Sequence, residues 1–179
     1  NQYSPGAIDN ASGVGVLLAL AEHLQNQPTE LIRVEFLFTG AEETGLHGAK
    51  AYARQLAASD AADNTMVISL DMVGAGKTLC YISREGTVRP LHTNRTLNNY
   101  LRKVHPPIRD LWYTLRSGDF APFLRRGIRA TALQTTGSHR AHLSYHTIHD
   151  TPSLLESSAL DMTAYTVWKM IQIMDKPYM

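Results

Sequence analysis

Residues 31–38 (Leu-Ile-Arg-Val-Glu-Phe-Leu-Phe) alternate apolar and polar side chains and then turn wholly apolar, the pattern of a sheet strand. The run Met66-Val67-Ile68-Ser69-Leu70-Asp71-Met72-Val73-Gly74 predicts a buried strand ending in an acid, and residues 79–83, 112–115 and 128–133 predict shorter strands. Helical spacing dominates elsewhere. Val14, Leu17, Leu18, Ala21 and Leu24 fit one face of a helix over residues 14–24, and residues 49–56 are rich in helix formers. Residues 91–104 read as an amphipathic helix stopped by His105-Pro106-Pro107, residues 119–126 as a short helix closed by Gly127, and residues 157–174 as a last helix. Residues 25–30, 57–64 and 135–144 are polar connections, the last a long loop. Strands alternating with helices predict an α/β domain with helices on both faces of its sheet.

The chemistry clusters on the turns. Thr39-Gly40-Ala41-Glu42-Glu43-Thr44-Gly45-Leu46 puts adjacent carboxylates between a strand and a helix, where open α/β sheets place their sites. Adjacent side chains point apart, so one glutamate can ligate a cation while the other faces the water beside it. The pair equally fits solvated charges in a first helical turn, where the dipole favours them. Asp71 is different, because an acid inside so apolar a run is costly unless paired or metal-bound. Ser4-Pro5-Gly6-Ala7-Ile8-Asp9-Asn10-Ala11-Ser12-Gly13 is a small-residue loop that opens a helix; Asn10 or Ser12 fits its cap, and Asp9 fits an N-terminal helix acid.

Bulk properties narrow the classes. At 179 residues the chain is one domain, large enough to bury a core, with 44% hydrophobic and 18% charged residues and a net charge of +1. That balance points to neither nucleic acid nor a membrane surface, and no apolar run reaches transmembrane length. Cys80 is the single cysteine, which excludes an intrachain disulfide and a cysteine-built zinc site. Asn1-Gln2-Tyr3-Ser4-Pro5-Gly6 offers no start methionine, signal peptide or leading strand, so the chain reads as though it begins inside a domain.

Taken in order, Gly6-Ala7-Ile8-Asp9-Asn10-Ala11-Ser12-Gly13, Gly40-Ala41-Glu42-Glu43-Thr44-Gly45-Leu46, Leu70-Asp71-Met72-Val73-Gly74 and Tyr145-His146-Thr147 with Asp150-Thr151 resemble the zinc aminopeptidases of metallopeptidase family twenty-eight, the co-catalytic di-zinc exopeptidases. Asp119 with Pro122-Phe123 and Gly127-Ile128 resembles another segment of that family. The resemblance spans nearly the whole chain. It implies a three-layer αβα sandwich around a mostly parallel mixed sheet. It further implies a pair of Zn2+ ions, a peptide substrate with a free amino terminus, and export to the periplasm or beyond the cell. Position by position, Asp9 matches the carboxylate bridging the metals and Glu42 the general base that takes a proton from the metal-bound water. Glu43 and His146 match the ligands of one zinc, and Asp71 a ligand of the other. Tyr145 matches a tyrosine that in some members hydrogen-bonds the developing oxyanion. Such residue types suit the chemistry, since zinc takes nitrogen and oxygen ligands and a nearby carboxylate serves as base and then acid. Asp119 and Asp150 fit either acids that fix the ligands from behind or caps of a helix and a turn. His47 and His149 read as exposed, and His139 and His142 as neighbours of the cleft.

The sequence also departs from the family. The family's remaining ligand, a histidine in a His-x-Asp motif, would fall upstream of Asn1, so the zinc site of Asp9 and Asp71 is expected to lack its imidazole. Truncation of the domain at its N-terminus is the expectation that follows. Gly118 stands where the family has serine, and Arg129 where it has proline. Two competing readings are a single-zinc glutaminyl-cyclase-like enzyme and a non-catalytic peptidase-like binding module. The first suits an incomplete second site. The second is expected to lack several site residues at once, and Asp9, Glu42, Glu43, Asp71 and His146 are all present.

Overall fold

The computed structural model describes residues 4–176. Its helices are α1 (Ser12–Asn26), α2 (His47–Ala57), α3 (Arg95–Val104), α4 (Ala121–Leu124), α5 (His139–Ser144) and α6 (Ser157–Met174). Its strands are β1 (Met66–Leu70), β2 (Thr78–Glu85), β3 (Leu91–His92), β4 (Arg109–Tyr113) and β5 (Arg129–Thr136). The sheet order is β1-β5-β2-β3, with β4 alongside β2. The ladders β1–β5 and β2–β4 are parallel, while β2–β5 and the short β2–β3 ladder are antiparallel. The sheet is therefore mixed, and its two longest ladders are the parallel ones.

Alternation along the central strands divides the core into two layers. Leu79 and Tyr81 of β2 and Leu133 of β5 pack against Val16 and Leu20 of α1, Leu97 and Leu101 of α3, and Val167, Met170 and Ile171 of α6. Ile82 of β2 and Ala130 and Ala132 of β5 pack against Ala49 and Ala53 of α2 and Ala121 and Phe123 of α4. Helices thus cover both faces, which is the expected αβα sandwich. No helix among the described residues is long and apolar enough to cross a membrane.

The buried stripe of α1 is rotated from the one expected. Val16 and Leu20 are buried and Leu17 and Leu24 pack beside them, whereas Val14 and Leu18 are 41% and 56% exposed. Gly13 explains the rotation. A Cβ there would lie 2.5 Å from the Leu70 carbonyl oxygen, so the helix start is pressed against the end of β1. Residues 91–104 begin with β3 before α3 starts at Arg95, where the Asn94 side chain accepts from the Leu97 N–H as N-cap. The stretch 135–144 is not one long loop: β5 runs to Thr136 and α5 follows, capped by Ser138 through the Ala141 N–H.

Residues 31–38 do not form the expected strand. Their exposure alternates as a strand's does, with Ile32, Val34 and Phe36 packed on the α1–α6 layer and Leu37 on the α2–α4 layer. Periodicity reports which side faces the core, but a strand also needs a ladder partner, and among the described residues none pairs with it. Its entry is held instead by Asp175, whose carboxylate accepts from the N–H groups of Glu30, Leu31 and Ile32 at 2.7–3.2 Å. Replacing Asp175 with alanine is expected to speed amide hydrogen exchange selectively in residues 30–38. Uniform exchange in that segment in both proteins would show that the carboxylate holds nothing.

Candidate metal centre

The loop before α1 carries Asp9, and its shape is enforced from several directions. Gly6 enters at φ 68°, a left-handed conformation that glycine adopts without strain. The buried Asp150 carboxylate accepts from the Ile8 N–H at 2.8 Å and the Asp9 N–H at 3.0 Å. Asn10 donates to the Leu70 carbonyl at 2.8 Å and accepts from the N–H groups of Met72 and Gly13 at 3.2 and 3.1 Å. Ser12 donates to the Ile8 carbonyl and accepts from the Val73 N–H. One short loop is thereby fastened both to the end of β1 and to the turn after α5.

On that frame Asp9, Glu43 and His146 converge, with a ligand atom from each lying within 4.8 Å of the others. His146 Nε2 stands 3.1 Å from Asp9 Oδ2 and 2.8 Å from Glu43 Oε1. No other group of three or more such side chains converges this way among the described residues. One imidazole nitrogen with two carboxylate oxygens is a donor set that suits zinc and leaves room for a further ligand.

Glu42 and Asp71 lie close enough for their charges to count. Burial and the neighbouring charges of Glu43, Asp119 and Asp9 push the Glu42 carboxyl up to about 7. Burial, then the charges of Asp9, Glu42, Asp119 and Glu43, push Asp71 up to about 8. Asp71 is not a member of the three-residue cluster. It leaves the end of β1 with its N–H bonded to the Leu133 carbonyl. The Asp9 carboxyl is also raised, chiefly by burial, against the opposing pull of His146.

The acids placed behind the three-residue cluster have distinct jobs. Asp150 holds the backbone of the Asp9 loop rather than a histidine ring. Asp119 accepts from the Thr39 hydroxyl at the mouth of the Glu42–Glu43 turn, while its other oxygen is buried without a hydrogen-bond partner among the described residues. Tyr145 stacks on His146 with ring centroids 3.8 Å apart, and burial raises its hydroxyl to about 12. His47 and His149 are exposed, and His142 lies on the rim of a cavity beside Tyr145. Backbone strain gathers here too. Ala41, Met72 and His146 have φ of 57°, 53° and 57°, left-handed values that side chains resist, and they flank or belong to the site. Sequence reasoning missed the Thr39–Asp119 bond and the bridging role of Asn10, since both depend on contacts between distant segments.

The model of "Peptidase family M28" matches residues 1–171. The chain belongs to peptidase family M28. It is 38% identical over 95 residues to the alkaline phosphatase isozyme conversion protein of Escherichia coli, covering 51% of this chain and 27% of that protein. Among solved structures it resembles an aminopeptidase from Aneurinibacillus sp. strain AM-1 at 28% identity and a TM-score of 0.75, covering 96% of this chain and 40% of that one. A zinc aminopeptidase from Bacillus subtilis superimposes with a TM-score of 0.78 at 24% identity, covering 96% of this chain and 43% of that one. The M28 chain thus spans less than half the length of these relatives.

If Asp150 fixes the Asp9 loop for a cation, Asp150→Ala should weaken zinc binding by about 10–100-fold while the protein stays folded. Competition titration with a chromogenic chelator reads this, and unchanged affinity would remove Asp150 from the site. The raised carboxyls give a second test. Both Glu42 and Asp71 hold protons in the folded chain that the unfolded chain releases. Their stabilising contribution is complete below the ordinary carboxylate range and is lost as pH rises through about 7 and about 8. The metal-free M28 chain should therefore melt at a lower temperature at about pH 8.5 than at about pH 5, and Asp71→Asn should flatten that fall. A metal-free melting temperature that rises over this range would contradict the crowding of carboxylates.

Proposed function

We propose that the chain is the metal-bearing part of a zinc aminopeptidase that hydrolyses amino-terminal residues from peptides. The observation that carries this reading is the convergence of Asp9, Glu43 and His146 beside a carboxyl, Glu42, raised to about 7. Asp9, Glu43 and His146 would hold one zinc ion, and Asp9 with Asp71 would contribute to a second. Bound zinc would supply Lewis-acid polarisation of the scissile carbonyl and make water a better nucleophile near neutral pH.

The remaining work falls to the chain's own groups. Glu42 receives a proton from the attacking water and returns it to the departing amine, so the same carboxylate is base and then acid. Tyr145 stays protonated at neutral pH and can donate its O–H to the oxygen that gains charge as the carbonyl carbon becomes tetrahedral. Its stacking on His146 fixes the ring relative to the ligand set. The surrounding carboxylates favour a substrate that brings a positive amino group and disfavour one whose terminus is acylated.

Incubation of a short peptide with the zinc-loaded chain, followed by mass spectrometry, tests the reading. Stepwise loss of amino-terminal residues is expected from the free peptide and none from its N-acetylated form. Glu42→Gln should lower kcat by about 10²–10⁴-fold with zinc content unchanged. Intact free peptide after prolonged incubation, or a Glu42→Gln protein as active as the parent, would overturn it.

A further inference from the structure

Beside the metal centre lies a cavity of about 230 Å³ whose lining includes Ile8 and Tyr145, the residues immediately before Asp9 and His146. Its volume suits one side chain rather than a length of peptide, being smaller than the roughly 300 Å³ at which small-molecule sites begin. Ile8, Met72, Ala75 and Ala141 form an apolar wall. The polar lining includes Arg116 and Gln134.

These polar groups have donors to spare. Arg116 lies over the Tyr145 ring, 4.3 Å from its centroid, and makes no ion pair among the described residues. Arg33 and Arg125, by contrast, each pair with a glutamate. Gln134 is buried and its orientation is set, because its Oε1 accepts from the Tyr113 hydroxyl at 2.6 Å. That leaves the Nε2 donors facing Met72 Sδ at 3.6 Å, a weak acceptor. A guanidinium without a carboxylate partner among the described residues and a buried amide N–H without a strong acceptor line the same cavity. A carboxylate side chain supplies acceptors to both, whereas an aliphatic one leaves the amide unsatisfied.

We propose that this cavity receives the side chain of the substrate's amino-terminal residue and that Arg116, with Gln134, selects a carboxylate there. Its part in hydrolysis rests on the aminopeptidase reading above, and its chemistry points to peptides beginning with glutamate or aspartate. Arg116 is a specificity residue in this scheme, outside the proton-transfer machinery.

Calorimetric titration of the zinc-loaded chain with free L-glutamate, L-glutamine and L-leucine tests the assignment, since the probes share their backbone groups and differ only in the side chain. Zinc is needed because the carboxylates of the centre repel an acidic probe when no cation balances them. Glutamate should bind about tenfold more tightly than either other probe, Arg116→Met should abolish the difference, and Arg116→Lys should keep part of it. Arg116 is exposed, so neither change removes a core contact. Leucine binding as tightly as glutamate, discrimination that survives Arg116→Met, or no binding of any probe would each overturn the proposal. Hydrolysis of glutamyl and leucyl peptides is scored separately. Glutamate selectivity in binding with no cleavage of either peptide would sink the peptidase reading alone. Cleavage of leucyl peptides without glutamate selectivity would sink the pocket assignment alone.

Discussion

Carboxylates brought together and partly withdrawn from water repel one another, and that repulsion is the constraint around which this chain is built. Asp9, Glu42, Glu43, Asp71 and Asp119 share one end of the sheet, and His146 is the imidazole set among them. Without a counter-charge, burial together with the neighbouring charges raises the Asp9, Glu42 and Asp71 carboxyls, and burial raises Asp119. A divalent cation relieves the same repulsion more completely, because it interacts with all the charges at once. The arrangement is costly as a structural device and economical as a cation site.

The backbone around the site is consistent with that cost. Asp150 and Asn10 bind main-chain groups rather than side chains, so the Asp9 loop is clamped before any ligand arrives. Left-handed φ values at Ala41, Met72 and His146 need a surrounding structure that over-determines them. Rigid hydrogen bonding at the loop and packed helices on both sheet faces provide it. Charge repulsion and backbone strain, both unfavourable alone, are thus concentrated where the rest of the domain can offset them.

How much of this was legible in the sequence follows from the range of each interaction. Local periodicity placed the last helix at Ser157–Met174 and brought β2, β5 and α2 within a few residues of their ends, because burial of one face writes itself into neighbouring positions. Residues 31–38 carried the same signal without a ladder, since pairing depends on a distant partner. The α1 stripe was misplaced for a related reason: contact between Gly13 and Leu70 sets the helix rotation, and no spacing within α1 encodes it. Asp71 stood out as an acid in an apolar run, whereas Arg116 carries no local signal of any kind. Its significance comes from the cavity it lines together with Gln134, eighteen positions away in the chain.

Glu42 and Asp71 are raised by the same kinds of cause at different depths, and depth decides how a nearby cation would act on each. Asp71 is raised mainly by burial at the end of β1, and after that by the charges of Asp9, Glu42, Asp119 and Glu43. Glu42 is less buried; burial is still the largest cause of its rise to about 7, and the charge of Glu43 comes next. Charge compensation at Glu43 therefore lowers the Glu42 carboxyl without touching it. Filling such a centre and releasing protons would then be one linked event. With the charge of Glu43 balanced, the Glu42 carboxyl would ionise more readily than its raised value of about 7 allows. Glu42's position, one residue from Glu43 and outside the Asp9–Glu43–His146 cluster, is what lets a charge held by that cluster reach its carboxyl without a direct bond.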